Sequence, residues 1–319
     1  MAPSTLFSLR RSLVAAGLVL ALCIVATLPG AVAAPVPGTS CRVFRANNIW
    51  NADISKLPVD PRNRTWLHSM KARSTLLHPD FGRPPYGFPF QVAGSGHAVH
   101  HIKFHYASES DRVPYPFGPS TPIERGSDRH ALMINRDTCT LYELYDAHWN
   151  RGHPTAGSGA VFDLGSNALR PDGWTSADAA GLPIFPGLVR YDEVRAGAIR
   201  HAIRFTVECT RRRHVWPARH DAGVSNPSCP PMGARFRLKA GYDTSRFGPK
   251  ARVILRAMKH FGLILADNGA NWYFQGTMDK RWTDTLLDQL KRVPAGAFQA
   301  VDTSSCMVQR SSARASCPA

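Results

Sequence analysis

The chain has 319 residues, of which 39 are Lys or Arg and 23 are Asp or Glu, so its formal net charge is +16 at pH 7. This length suffices for one large domain or two small ones, and such a chain can bury a core without help from metals. The positive charge favours anionic partners, or it simply keeps the protein in solution. Basic residues are not interleaved with aromatic ones, and Arg211–Arg213 is the only run of three, so nucleic acid is not favoured as a partner.

The first 33 residues have the three parts of a secretory signal peptide. Arg10 and Arg11 precede an apolar run that ends at Pro29, and the small-x-small sequence Ala31–Ala33 follows. The run has about 16 residues, fewer than the about 20 that span a bilayer, which favours cleavage over an uncleaved membrane anchor. The arginine pair leaves the twin-arginine route open beside the general secretory route. We expect export, no stable membrane insertion after cleavage, and a mature chain 34–319 of net charge +14, because only those two charges leave with the signal.

Six cysteines remain once Cys23 leaves with the signal peptide. An even number in an oxidising compartment predicts up to three disulfides. The sequence leaves their pairing open, although Cys209–Cys229 and Cys306–Cys317 are the simplest pairs because each closes a short loop. The chain has no C-x-x-C motif, so neither a zinc ribbon nor a redox motif is expected. The predicted disulfide cysteines are Cys41, Cys139, Cys209, Cys229, Cys306 and Cys317.

In the first half of the mature chain, short regular elements alternate with long loops. A short helix is predicted at 65–76. Residues 79–96 and 112–127 are rich in Pro, Gly and aromatic residues, which is typical of ordered loops. A hairpin is predicted to join 130–135 to 139–149.

In the second half, alternation of apolar and polar residues predicts strands. Residues 199–207 have the pattern of a half-buried strand with one apolar face. Residues 235–240 predict a strand with a basic outer face. The stretches 262–267 and 270–275 flank Asn268–Gly269, a pair that favours a tight hairpin turn.

Helical spacing of apolar residues predicts two more helices, at 249–261 and 282–293. This set of elements is typical of a mainly β protein with an antiparallel β-sandwich or jelly-roll-like core, long loops and two or three short helices. Since no internal repeat or linker is visible, we expect one secreted β-rich domain at 34–319.

The most distinctive stretch is 170–193, which reads RPDGWTSADAAGLPIFPGLVRYDE. Its prolines and glycines indicate a structured loop, and long loops over a sheet often carry functional sites. Asp178 lies three residues after Thr175, where it can simply cap a helical turn. In the functional interpretation, Asp172, Trp174 and Asp178 line a cleft in which Trp174 stacks on a sugar ring.

Together with four shorter stretches, this motif resembles a family of secreted, largely uncharacterised bacterial proteins with a DGWTSADAAGLPI-type motif. The shorter stretches are DRH at 128–130, LYELY at 141–145, PPMG at 230–233 and ADNG at 266–269. The resemblance covers most of the mature chain and implies export and a single domain. It transfers no catalytic role to any residue.

The 13 histidines invite a metal hypothesis, and His97, His101 and His105 are spaced four apart. On a strand this spacing covers about 13 Å per step, too far for ligands that lie about 2 Å from one zinc ion. We therefore expect no metal and no cofactor. His201 interrupts an apolar strand face and is either a hydrogen-bonded core residue or a functional group whose pKa burial would shift.

Carboxylates give a more specific hypothesis, because glycoside cleavage uses two of them about 5–9.5 Å apart. Glu143 is predicted to share a strand face with Leu141 and Tyr145, where burial would raise its pKa as a general acid requires. A salt bridge to an arginine is the structural alternative. A polysaccharide lyase would instead use His or Tyr as base, with Arg235 or Arg237 neutralising a uronate. The second carboxylate of a hydrolase could be Asp128, Asp172, Asp192, Glu193 or Asp267.

Two functions follow. The first is a secreted carbohydrate-active enzyme, either a glycoside hydrolase or a polysaccharide lyase, acting on an anionic or neutral polysaccharide. The second is a non-catalytic carbohydrate-binding or cell-envelope surface protein. A serine hydrolase is not favoured, because Ser158 lacks the first glycine of a nucleophile elbow. The candidate catalytic residues are Glu143, Asp172, Asp178, His201 and His130, and the candidate substrate-binding residues are Trp174, Arg235, Arg237 and Trp272.

Overall fold

A computed structural model describes Met1 and residues 34–318. The predicted signal peptide, with Cys23, lies outside the described residues. From residue 34 onward the described residues belong to one compact unit, Ala31–Ala319. Within them, no helix combines the length and the apolar character that crossing a membrane requires.

Strands dominate the described residues, so the predicted mainly β class is confirmed. The strands are β1 (His78–Asp80), β2 (Phe90–Ala93), β3 (Lys103–Phe104), β4 (Ala131–Asn135), β5 (Thr140–Tyr145), β6 (Thr155–Ala156), β7 (Ser158–Asp163), β8 (Ile203–Val207), β9 (Arg211–His214), β10 (Pro231–Met232), β11 (Arg235–Leu238), β12 (Leu263–Asn268), β13 (Tyr273–Gln275) and β14 (Phe298–Val301). The α-helices are α1 (Asn63–Ser69), α2 (Tyr191–Ala196), α3 (Pro249–His260) and α4 (Asp284–Leu290).

The larger of the two main sheets has the strand order β1-β13-β8-β12-β11-β14 and mixes parallel with antiparallel pairs. Its central strand β8 runs parallel to β12 and antiparallel to β13. All five residues of β8 are buried, so the prediction of one exposed face is wrong. A strand with neighbours on both edges and cover on both faces is buried throughout, as in parallel sheets.

The predicted hairpin around Asn268–Gly269 is also wrong. β12 and β13 do not pair with each other, because both pair with β8 on its opposite edges. The connection between them therefore crosses over β8. A Cβ atom on Gly269 would lie only 2.9 Å from the Oγ1 atom of Thr206, so this close crossing explains the glycine better than a tight turn does.

The basic outer face predicted for β11 is buried. Arg235 is 1% exposed and Arg237 is 8% exposed. The segment that contains Ile49 and Ile54 covers them, since the two guanidinium groups donate hydrogen bonds to the carbonyl oxygens of these residues at 3.3 and 2.6 Å. The arginines therefore fasten this segment to the sheet.

The second sheet has the order β2-β4-β5-β7, and the predicted hairpin between β4 and β5 is confirmed. One face carries Leu141 and Phe162 into the main core, and the other carries Met133 and Leu144 into a smaller core that includes Phe117. This sheet is thus covered on both sides, and the inward face of β5 meets the loop that follows the 170–181 segment.

Three disulfides join Cys41 to Cys139, Cys209 to Cys229, and Cys306 to Cys317. The two short-loop pairs expected from the sequence are confirmed. The first pair has a sequence separation of 98 residues and ties the amino-terminal segment to the β4–β5 turn. Closing so long a loop restricts the unfolded chain more than the other two bridges do.

Candidate functional site

A cleft of about 430 Å³ lies beside the 170–181 loop, between the end of β12 and the start of β7. Its described lining combines carboxylates, tyrosines, a histidine and small polar residues, and it includes no Lys or Arg. In a chain of net charge +16 this composition stands out. The charged and aromatic lining residues are Glu109, Asp128, Asp178, Asp267, His220, Tyr106 and Tyr145.

Asp178 lies on the floor of the cleft and binds an arginine from β8 that does not itself line the cleft. The Arg204 Nε atom donates to Asp178 Oδ2 at 2.9 Å, and Nη2 donates to Oδ1, which makes the pair bidentate. Both side chains are almost completely buried. Burial opposes the charge of Arg204, but Asp178 outweighs it and raises the pKa of this guanidinium. The helix-cap interpretation of Asp178 is wrong, because Thr175 reaches its backbone oxygen while its carboxylate binds Arg204.

Asp267 stands at the end of β12, partly exposed to the cleft. Its Oδ1 atom accepts a hydrogen bond from the Asn268 amide at 2.7 Å. Burial and the neighbouring Asp178 carboxylate raise the pKa of Asp267 to about 8. Asp267 therefore carries a proton at neutral pH, and its side chain lies within hydrogen-bonding reach of Asp178 while being partly exposed to the cleft.

Glu109 and His220 face each other at the edge of the cleft. The His220 Nδ1 atom lies 2.8 Å from the carbonyl oxygen of Ala179, which places the ring proton on Nδ1. The other nitrogen, Nε2, lies 3.7 Å from Glu109 Oε2. The same Glu109 oxygen accepts from the Thr175 amide at 3.1 Å, so this carboxylate is held in place. The Thr175 amide thus holds the Glu109 carboxylate next to the His220 ring.

Glu143 is completely buried, as its predicted strand position required, and burial raises its pKa to about 7. Its oxygens accept hydrogen bonds from the amides of Ile184 and Phe185 at 2.8–3.0 Å. No arginine bonds to this carboxylate in the described part of the chain. Glu143 does not line the cleft, and its contacts hold the start of the 3₁₀ helix Phe185–Gly187 against β5. It is a positioning residue rather than a proton donor to substrate.

His130 is buried close to the same floor. Its Nδ1 atom lies 2.5 Å from Glu124 Oε2, and its Nε2 atom lies 3.1 Å from the carbonyl oxygen of Ala177. Burial opposes the charge of His130, but Glu124 outweighs it and raises the pKa of the imidazole. Both ring nitrogens are therefore occupied. His130 fixes the backbone next to Asp178 and does not face the cleft.

Two predicted catalytic residues lie away from this cleft. The Asp172 side chain is 67% exposed and binds His214 at 3.2 Å and Arg219 at 3.3 Å, in another cleft of about 550 Å³. His201 is completely buried, with Nε2 at 3.1 Å from Glu193 and Nδ1 at 2.8 Å from the Ala202 carbonyl oxygen. These contacts occupy both nitrogens of His201, and neither His201 nor Asp172 lines the carboxylate-lined cleft.

The predicted substrate-binding residues do not line the cleft either. Trp272 is completely buried, and its Nε1 atom donates to the Met70 carbonyl oxygen at 3.0 Å. Arg235 and Arg237 are also buried, although Arg235 lines the other cleft together with Asp172. Trp174 is half-buried and packs on Arg170, whose guanidinium lies 5.5 Å from the ring centroid. It supports the cleft loop from behind.

Sequence reasoning brought Asp178 to this site and named Asp267 only as one of several second carboxylates. It missed Arg204, Glu109 and His220. The alternating pattern at 199–207 placed Arg204 on an exposed face, so it gave no reason to expect a buried partner. Glu109 carries no local signal.

In the described residues, no group of three or more His, Cys, Asp or Glu side chains is placed to hold a metal ion. His97, His101 and His105 are all exposed. Comparison of the chain with protein-family models, with curated proteins and with solved structures finds no match. Function is therefore inferred from the chemistry of the cleft.

Proposed function

We propose that the protein is an exported glycoside hydrolase acting on a neutral glycan, with the carboxylate-lined cleft as its active site. The observation that carries this proposal is the convergence of Glu109, Asp178 and Asp267 with His220 and two tyrosines in one cleft. Glycoside cleavage needs a carboxylic acid and a carboxylate on either side of the bond. The predicted signal peptide and the three disulfides support action outside the cell.

Asp267 acts as the general acid and protonates the departing glycosidic oxygen. It is suited to this role because it stays protonated near neutral pH and is partly exposed. Asp178 assists by position: its negative charge, fixed by Arg204, disfavours a second charge on Asp267. The two residues thus combine an ionised carboxylate, Asp178, with a protonated carboxyl group, Asp267, and glycosidases likewise hold two carboxyl groups in different protonation states.

Glu109 is the partner carboxylate, either activating water or attacking the sugar. We assign this role to Glu109 rather than to Asp128, because the Thr175 amide and His220 hold it in place. The side chain of Asp128 has only the neighbouring Ser127 hydroxyl, at 3.2 Å. A catalytic carboxylate has to be held in one position to be effective.

The cleft favours a neutral sugar over a uronate. Glu109 and Asp128 leave negative charge in the cleft, and its described lining has no Lys or Arg, so an acidic glycan would be repelled. The arginines that a lyase mechanism would have used, Arg235 and Arg237, are buried under the amino-terminal segment. Tyr106 and Tyr145 supply aromatic surface for sugar rings.

The test is release of reducing ends from a panel of neutral glycans by the mature protein. Asp267→Asn should lower kcat/KM by about 10²–10⁴-fold, since it removes the proton donor and keeps the shape. Asp172→Asn is the matched control, an exposed aspartate in the other cleft, and should leave activity unchanged. Thermal unfolding confirms that both variants fold.

Full activity of Asp267→Asn would contradict the assignment of the acid. Binding of a neutral glycan without any release, abolished by Tyr106→Ala, would instead support the non-catalytic carbohydrate-binding function. The observation that favours this alternative is that Tyr106 is 48% exposed beside the cleft.

A further inference from the structure

A groove of about 610 Å³ runs beside α1, and its charged lining residues are all basic. They are Arg64 and His68 on α1 and Arg73 just after it. The described lining contains no Asp or Glu. Its chemistry is thus the reverse of the carboxylate-lined cleft.

The fold directs these side chains outward. Trp66 and Met70 lie four residues apart and are buried, which turns the opposite side of α1 to solvent. Arg64 and His68, also four apart, share that exposed side. The side chains of Arg64, His68 and Arg73 form no hydrogen bond or ion pair with any other described residue. These three side chains are therefore free to bind a ligand.

Further cations extend this surface. Lys239 places its Nζ atom 2.9 Å from the carbonyl oxygen of Gly296, which lines the groove. On the other side Ser228 lines the groove, and two residues later the Pro230 carbonyl accepts from the Arg211 amide at 2.8 Å. The Arg211–Arg213 run thus begins next to the groove. The nearby Glu208 is already paired with Lys71 at 2.8 Å.

We propose that this basic groove, lined by Arg64, His68 and Arg73 with Lys239 bonded at its edge, binds an acidic polysaccharide. Several cations along one groove match the repeated carboxylates of a polyuronate. The described lining has no Phe, Tyr or Trp ring on which a nucleic-acid base could stack, which favours a polysaccharide over single-stranded nucleic acid. Hydroxyl groups of Thr65 and Ser228 are available to sugar hydroxyls.

This site is independent of the proposed hydrolase. It would hold the protein on an acidic matrix while the separate cleft works on a neutral glycan. Binding at the groove should weaken as salt is raised, since the cations are exposed and screened.

The experiment measures binding of the mature protein to alginate at low and at physiological salt. Arg64→Glu with Arg73→Glu should weaken binding on the order of tenfold, because four units of charge change in the groove. Arg252→Glu with Arg256→Glu is the matched control, since both arginines are exposed on α3 and the change in net charge is the same. The control should weaken binding by about twofold or less. Thermal unfolding verifies that both double variants fold. If the variant with Arg64→Glu and Arg73→Glu does not fold, the variant with Arg64→Gln and Arg73→Gln replaces it.

Equal weakening by the two pairs would overturn the proposal, since attraction would then depend only on net charge. Groove-dependent binding that is tighter to single-stranded DNA, or to vesicles containing anionic lipid, would overturn the choice of polysaccharide. Loss of alginate binding only in the groove variant, with reducing-end release unchanged, is the expected result.

Discussion

Two buried arginine–carboxylate pairs, with the same chemistry, have different surroundings in this protein. Arg204 binds Asp178 on the floor of the carboxylate-lined cleft. Arg190 binds Glu193 in the core, with Nη2 at 2.9 Å from Oε1. All four side chains are at most 3% exposed.

In the core pair the second oxygen of Glu193 lies 3.1 Å from His201. Asp192, whose pKa burial raises, lies 3.4 Å from Arg190 Nε but does not line the carboxylate-lined cleft. Burial acts to raise the pKa of Glu193, but Arg190 and His201 outweigh it and lower this pKa below its usual value. Asp267 lies beside the cleft pair. Its pKa is raised, and its side chain is partly exposed to the cleft. Burial and ion pairing alone therefore do not identify a site; an extra carboxyl group between a buried pair and a cleft does.

The largest expected effect comes from breaking each pair. Arg204→Met and Arg190→Met should each lower the free energy of unfolding by about 3–5 kcal/mol, since each leaves a buried carboxylate without its cation. Urea unfolding measures this. Only Arg204→Met should also reduce glycan cleavage by the folded protein, because Asp178 then loses its partner beside the cleft.

Arg204→Lys and Arg190→Lys keep the charges and serve as milder variants if the Met forms do not fold. The comparison fails if Arg190→Met reduces cleavage per folded molecule as much as Arg204→Met does. In that event the Arg190–Glu193 pair would be coupled to the proposed active site.

Local signals predicted part of this fold well. The β4–β5 hairpin, the helix α3 and the two short-loop disulfides all depend on residues close together in sequence. The helix predicted at 65–76 formed as Asn63–Ser69, and that at 282–293 as Asp284–Leu290. The short α2 was missed; it begins at Tyr191, at the end of the 170–193 stretch.

Long-range pairing was beyond the sequence. The placement of β8 between β12 and β13 depends on contacts about 60 residues apart. This placement buried the face of β8 that the sequence predicts to be polar, and it paired Arg204 on that face with Asp178 at the cleft. Burial of Glu143 followed from its strand pattern, but its partners, the amides of Ile184 and Phe185, lie 41 and 42 residues away.

The next prediction sharpens the comparison through pH. Burial, helped by the charge of Asp178, raises the pKa of Glu143 from 4.5 in the unfolded chain to about 7 in the folded protein. The folded protein then holds a proton that the unfolded chain releases, so stability falls as pH rises from 4.5 to about 7. Across this window the contribution of Glu143 falls by about 3 kcal/mol. Glu143→Gln should remove that part of the slope in urea unfolding.

Glu193 should behave in the opposite sense. Because its pKa is lowered in the folded protein, its stabilising contribution is present above pH 4.5 and is lost as pH falls through the folded value. Glu193→Gln should therefore approach the wild-type stability on acidification, whereas Glu143→Gln gains on it as pH rises. Parallel curves for the two variants and the wild type would contradict both assignments.

The smallest expected effect is a shift in the pH dependence of cleavage. If Asp267 is the acid, kcat/KM falls as pH rises through about 8, by about tenfold per unit beyond it. Asp178→Asn should move this limb to lower pH, because it removes the negative charge that keeps Asp267 protonated and leaves the Arg204 cation beside it. Glu193→Gln carries the same chemical change in the core pair and should leave the limb in place. A limb that does not move in Asp178→Asn, or that moves equally in both variants, would separate Asp267 from the reaction, since no other group in the cleft has its protonation set by Asp178 in this way.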